Sequence, residues 1–186
     1  MDMDAVGRRP VPEAAFCPRA AHNGTPAGDR LSLRALRAAV VHHAHMATAQ
    51  DLYKGMLREH VAPSVRHLGM KGSSGNFVLP DADHYLLVGF QSSGSNTAET
   101  VRFTVNLAVI SKTAWKQGWK SWWGKPSATT QGPVGTYKRL GELMPDHDDV
   151  WWELTSDTEP AVLAAEVVQA IEQFGLPELV RLRSGR

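Results

Sequence analysis

The 186-residue chain has a single cysteine, almost no net charge and no long apolar run, and each scarcity excludes a class of protein. Because Cys17 has no second cysteine to pair with, an intrachain disulfide and a cysteine-based zinc site are both excluded. The net charge of +1 provides no overall field that would attract nucleic acid or anionic lipid. The apolar runs are far shorter than the roughly 20 residues of a membrane span. These features predict a cytoplasmic protein that acts away from membranes.

The chain also lacks a specific catalytic or metal-binding motif. Acidic residues gather between Glu142 and Glu153, but the pattern has neither the central glycine nor the terminal acid of a calcium loop. The serines around Ser92 lack the strand-turn-helix context of a nucleophile elbow. The sequence therefore predicts no catalytic residue, no metal ligand and no cofactor, and it favours binding over catalysis.

The first 45 residues differ in composition from the rest of the chain. They contain four prolines among Ala, Arg and Gly and show no strand periodicity. We expect a disordered or weakly helical extension over residues 1–45 and a single domain over residues 46–183. The change at Met46 also suggests that translation starts there, a hypothesis that N-terminal sequencing of the natively expressed protein would contradict by finding upstream residues.

Hydrophobic spacing predicts a helix at each end of the domain. Thr48 is a suitable N-cap for the first helix, which Pro63 is expected to end or kink. The pair Glu159-Pro160 opens the second helix, which is expected to end near Gly175, with a last helical turn possible over Leu176 to Val180.

Between these helices, alternating apolar and polar residues predict strands, most clearly from Val101 to Ile110. Further strands are expected over Asn76 to Pro80, His84 to Ser92 and Val150 to Leu154, whereas Lys71 to Gly75 is predicted to be a turn. The order of elements indicates an α+β fold. In this fold an antiparallel, meander-like sheet of about four to five strands packs against the N-terminal and C-terminal helices, with a Trp-rich helix inserted.

The six tryptophans all lie between positions 115 and 152, and four of them form a dense segment with interleaved lysines. Their spacing of i, i+4, i+7 and i+8 predicts one helix from Lys112 to Trp123. The stripe either packs against the sheet or binds a base, a sugar or a protein partner. The candidate binding residues are Trp115, Trp119, Trp122, Trp123, Lys116, Lys120 and Arg139.

Several short motifs, taken in their order and spacing, resemble the family called domain of unknown function 4304. They are Gly89 to Ser93, Val101 to Leu107, Arg139 to Leu143, Asp149 to Leu154 and Leu176-Pro177. The resemblance spans roughly Ala47 to Leu182 and implies a small bacterial α+β domain. It implies no activity and no catalytic residue. The first 45 residues and the density of tryptophan between positions 115 and 123 depart from the family pattern.

Three functions remain open at the level of the sequence. The leading hypothesis is a protein-interaction module, toxin-neutralising or regulatory, that uses the Trp-rich helix and the sheet beside it. The alternative is a small enzyme or ligand-binding domain that holds a nucleotide or a sugar in a cleft near Arg139 and Glu153. The third is a binder of single-stranded nucleic acid, which the near-zero net charge disfavours. The exposure of the tryptophans in the structure discriminates among these hypotheses.

Overall fold

The structure, a computed structural model, describes residues 47–118, 124–129, 134–145 and 148–185. The predicted extension over residues 1–45 and the proposed start at Met46 lie outside these ranges. The helices are α1 Ala49–Met56, α2 Ala62–His67, α3 Lys112–Gln117, α4 Pro160–Ala170 and α5 Leu176–Arg183. The strands are β1 Lys71–Ser73, β2 Asn76–Leu79, β3 His84–Ser92, β4 Thr100–Ser111, β5 Thr136–Arg139 and β6 Trp152–Thr155.

The six described strands form one antiparallel sheet in which the 12-residue strand β4 is central. Strands β1 to β4 follow one another as a meander. The other edge of β4 is shared, because β6 pairs with its first residues and β5 pairs with Asn106 to Val109. The α+β class with a meander-like antiparallel sheet is confirmed, with six strands rather than four to five.

One face of the sheet, called the first face, is covered by the long helices at the two ends of the domain. Alternation along β4 directs Val101, Phe103, Val105 and Leu107 to this face, and all four side chains are fully buried. The ring of Phe103 lies at the centre of an aromatic cluster, 5.9 Å from the Trp152 ring centroid. Most of the hydrophobic core therefore lies between this face and the helices.

The first helix begins as predicted, since Thr48 and Asp51 form a capping box. Pro63 does not end it. A π-helical turn, Leu57–Val61, precedes α2 and lets the chain stay helical across Pro63, whose ring and missing N–H disturb a regular α-helix.

The C-terminal helix begins as expected with Glu159 as its N-cap and Pro160 in its first turn. The helix does not end near Gly175, and the predicted helical turn over Leu176 to Val180 is part of a longer helix. Gly175 closes a π-helical turn, Ile171–Gly175, and the chain continues directly into α5. None of the helices in the described ranges has the length and apolar character needed to cross a membrane.

The predicted turn from Lys71 to Gly75 is also corrected by the structure. Lys71–Ser73 is a short edge strand that pairs with β2, and only Ser74 and Gly75 form the turn. Both turn residues have positive φ values, 53° and 80°, which suit a tight two-residue hairpin. An edge strand of three exposed residues has no apolar periodicity that a sequence pattern could reveal.

Candidate functional site

The opposite face of the sheet, called the second face, has a much smaller apolar cover in the described part of the chain. There, α3 and the loop 124–129 pack on the strands and form a small hydrophobic cluster, which contains Leu87, Ala108, Ile110, Trp115 and Ala128. Polar and charged side chains lie on either side of this cover. The second face therefore offers two regions to a ligand or partner, one at each end.

The Trp-rich helix is shorter than its spacing predicted. Helix α3 ends at Gln117 because Gly118 adopts an extended conformation with ψ 153°. Trp115 belongs to the small cluster on the second face and is only 8% exposed. Its indole Nε1 donates a hydrogen bond to the carbonyl oxygen of Gly124 at 2.9 Å. Trp115 thus helps to hold the loop against the sheet.

The other candidate residues of this segment are either exposed or outside the described residues. Lys116 is exposed on α3. Trp119, Lys120, Trp122 and Trp123 lie outside the described residues. Their predicted role in binding stays a prediction.

Arg139 lies at one end of the second face, within a group that we call the Arg–Trp surface. Its members are Arg102, Arg139, Asp149, Trp151 and Glu153. The guanidinium carbon of Arg139 lies 5.4 Å from the centroid of the Trp151 ring, and that of Arg102 lies 5.9 Å from it. Two cations within about 6 Å of one indole favour cation–π attraction.

The tryptophan doublet shows how the chain builds this surface. Side chains of an extended segment alternate between faces, so neighbouring tryptophans point in opposite directions. Trp152 is buried on the first face, where its Nε1 donates to Glu166 at 2.9 Å. Trp151 is therefore directed to the second face, where it is partly exposed.

Thr104 and Gly141 lie against the backbone segment that carries Trp151 and hold it in place. The hydroxyl of Thr104, fully buried in β4, donates to the carbonyl oxygen of Val150 at 3.0 Å. Gly141 follows β5, and a Cβ atom there would lie 2.5 Å from the nitrogen of Val150 and 2.6 Å from the carbonyl oxygen of Asp148. Only glycine allows this close approach, which brings the segment beside Arg139.

Asp149 connects the arginine to the tryptophan. Its Oδ2 atom accepts hydrogen bonds from the Arg139 guanidinium and, at 3.0 Å, from the Trp151 Nε1. The hydrogen bond from Arg139 lowers the pKa of Asp149 against the opposing effect of desolvation, and the bond from Trp151 lowers it further. Arg139 and Asp149 thus form an ion pair.

A cavity of about 460 Å³ lies at the other end of the second face. Three of the residues that line it are lysines, Lys71, Lys112 and Lys125, and we call it the lysine-rimmed cavity. Arg139 is not among the residues that line it.

Sequence reasoning missed both Trp151 and this cavity. The signal for Trp151 was present, because alternation through Val150 to Leu154 separates the two tryptophans. No local signal existed for the cavity, whose walls come from segments 71–88 and 112–128. Within the described ranges, no three His, Cys, Asp or Glu side chains gather to hold a metal ion.

The comparison with family models gave one match. The model described as Domain of unknown function (DUF4304) matches residues 61–181, which is more than half of the chain. The chain therefore belongs to this family, and the resemblance is confirmed. The match starts at residue 61, the last residue of the π-helical turn Leu57–Val61, rather than at residue 47. No curated protein and no solved structure matched the chain.

Proposed function

We propose that this member of the DUF4304 family is a cytoplasmic protein-binding module that holds a protein partner through the Arg–Trp surface. One observation carries the proposal: a partly exposed Trp151 is fixed by Asp149 and has two guanidinium groups within 6 Å of its ring. A role such as toxin neutralisation or regulation needs a fixed contact surface and no catalytic group.

The residue types on this surface are those that dominate the energetics of protein interfaces. Tryptophan and arginine are enriched among residues whose truncation costs 2 kcal/mol or more of binding free energy. The hydrogen bond to Asp149 holds the Trp151 ring before any partner arrives. A side chain that is already fixed loses less conformational entropy on binding.

The charges of the surface favour a protein partner over a nucleic acid. Arg139 is paired with Asp149, and Arg102 lies 3.9 Å from Glu153. Nucleic acid binding relies on unpaired cations that neutralise phosphates, whereas protein interfaces tolerate mixed charges. Single-stranded nucleic acid is therefore the less supported partner.

Catalysis is less supported than binding at the same place. Arg139 and Glu153, which would serve an enzyme, are engaged with Asp149 and Arg102 on an open surface. An active site generally encloses its substrate so that charged groups act with little water present. The cavity that could enclose a small ligand lies at the other end of the second face.

The proposal is tested by affinity purification of the full chain from its own host, with mass spectrometry of the proteins that co-purify. We expect Trp151→Ala to reduce the amount of a specific co-purified partner at least tenfold. This corresponds to a loss of about 1.4 kcal/mol or more in binding free energy. Val162→Ala is the matched control, because Val162 is an exposed hydrophobic residue on α4.

Reduction of the same partner by both variants, or by neither, would contradict the proposal. Circular dichroism of both variants must match the parent chain, so that loss of binding reports the surface rather than the fold.

A further inference from the structure

We propose that the lysine-rimmed cavity binds a small amphipathic anion, a molecule with a compact apolar or aromatic body and an anionic head such as a carboxylate or a phosphate. Neither Arg139 nor Trp151 lines the cavity. This inference is therefore independent of the protein-binding function proposed for the Arg–Trp surface.

The size and floor of the cavity suit a small organic molecule. Its volume of about 460 Å³ lies within the range of roughly 300 to 1,000 Å³ that is typical of ligand pockets. Aliphatic and ring side chains form much of its lining, among them Val78, Leu87, Pro126 and Ala128. Burial of an apolar ligand body against these groups removes apolar surface from water and favours binding.

The lysines that line the cavity outnumber its acidic residues. Lys71, Lys112 and Lys125 reach it from an edge strand, a short helix and a loop. Among the described lining residues the only acid is Asp81, whose Oδ2 accepts a hydrogen bond from Arg183 at 3.0 Å. Because that carboxylate is already neutralised, the three ammonium groups leave the rim complementary to an anion.

Lys112 is held in place before a ligand binds. Its Nζ donates to the carbonyl oxygens of Asp81 and Ala82 at 2.6 and 3.0 Å and lies 5.6 Å from the centroid of the Tyr85 ring. Two of its three ammonium hydrogens are thereby used, which leaves one to donate to an anionic head. A fixed cation loses little entropy when the ligand arrives.

The loop that forms one wall is also anchored to the sheet. The Ser127 hydroxyl donates to the Asn76 side-chain oxygen of β2 at 3.2 Å. Beneath the loop, Gly89 of β3 has no side chain, and a Cβ atom there would lie 3.0 Å from that of Ala128. The wall of the cavity thus exists without a ligand, as expected of a preformed binding site.

The test uses two fluorescent probes of similar shape, the anion anilinonaphthalene sulfonate and the neutral phenylnaphthylamine, titrated into the full-length chain. We expect the anion to bind at one saturable site at least tenfold more tightly than the neutral probe. Addition of salt is expected to weaken binding of the anion only. No saturable binding of the anion, or equal affinity for both probes, would overturn the inference.

Three lysine variants assign the site. We expect Lys125→Met, and Lys112→Met where it folds, each to weaken binding of the anion about tenfold. Lys116→Met should leave it unchanged, because Lys116 is an exposed lysine of α3 that does not line the cavity. An equal effect of Lys116→Met and Lys125→Met would show general attraction to positive charge and would overturn the assigned site.

Discussion

The two faces of the sheet are built from the same strands but differ in what covers them. On the first face, helices α1, α2, α4 and α5 cover an almost entirely apolar surface. On the second face, the described cover is one six-residue helix and a loop, with the lysine-rimmed cavity on one side and the Arg–Trp surface on the other. The difference places most of the hydrophobic core at the first face and leaves the second face for the binding that we propose.

Alternation along the strands produces this division. A residue and its neighbour in a strand face opposite ways, so a single sequence can build a core and a binding surface at once. Phe103 and Arg102 are adjacent, yet the first is fully buried and the second is exposed. Substitutions on the two faces should therefore separate loss of stability from loss of binding.

The largest effect is expected from Phe103→Ala on the first face. Phe103 is fully buried and contacts the rings of Tyr53, Phe90 and Trp152. Its truncation should lower the free energy of unfolding by about 3 to 5 kcal/mol, measured by chemical denaturation. A loss below about 1 kcal/mol would contradict the assignment of stability to this face.

Gly141→Ala tests the link between the fold and the Arg–Trp surface. A methyl group at this position would force the backbone of Asp148 and Val150 to move. We expect a loss of about 1 to 3 kcal/mol in the free energy of unfolding, together with weaker partner binding. Gly94→Ala is the control, since a Cβ atom there would meet no atom within 4 Å. Equal stability of the two variants would contradict the expectation.

Asp81 links the cavity side of the second face to the C-terminal helix. Its contribution to the free energy of unfolding should depend on pH. Its side chain is only 10% exposed, and burial alone would raise the pKa. Hydrogen bonds from the His84 and Asp83 backbone and from Arg183 outweigh this effect and lower the pKa from 3.8 to about 2.

A carboxylate with a lowered pKa stabilises the folded state above the unfolded-state pKa, and this stabilisation is lost as pH falls toward the folded-state value. We expect Asp81→Asn to lower the free energy of unfolding by about 1 to 2 kcal/mol at pH 7. The difference between parent and variant should shrink as pH falls from about 4 to 2, measured by denaturation at each pH. A difference in the free energy of unfolding that does not change with pH would contradict the attribution of this stabilisation to the Asp81 carboxylate.

The smallest effect on stability is expected from Trp151→Ala on the second face. Trp151 is partly exposed, and its truncation removes one hydrogen bond and two cation–π contacts. We expect a cost of about 1 kcal/mol in the free energy of unfolding, far below that of Phe103→Ala. Comparable losses for the two variants, measured under the same conditions, would remove the distinction between the faces.

Much of the fold could be predicted from the sequence because its strands have clear periodicity. The bounds of β3 agree with the predicted His84 to Ser92, and β4 extends the predicted strand by one residue at each end. The π-helical turns that carry the chain past Pro63 and Gly175 could not be predicted. Such turns depend on tertiary packing rather than on local propensity.

The candidate site was less predictable than the fold. Regular spacing favoured a long Trp-rich helix, but Gly118 ends that helix and Trp115 packs inward. The cavity needs residues as far apart as Lys71 and Lys125, which no local pattern connects. The sequence predicted Arg139 as a candidate residue, whereas its position beside Trp151 follows from the pairing of β5 and β6 with β4.

The central claim is that the second face, through the Arg–Trp surface, binds a protein partner. The most direct test places a photo-crosslinking amino acid at position 153 or at position 162 in the native host, since Glu153 and Val162 have exposed side chains, 56% and 66%, on different sides of the domain. We expect a specific protein adduct from position 153, none of that species from position 162, and its loss when Trp151→Ala is added. An adduct of equal yield from both positions, or one that Trp151→Ala leaves unchanged, would contradict the claim.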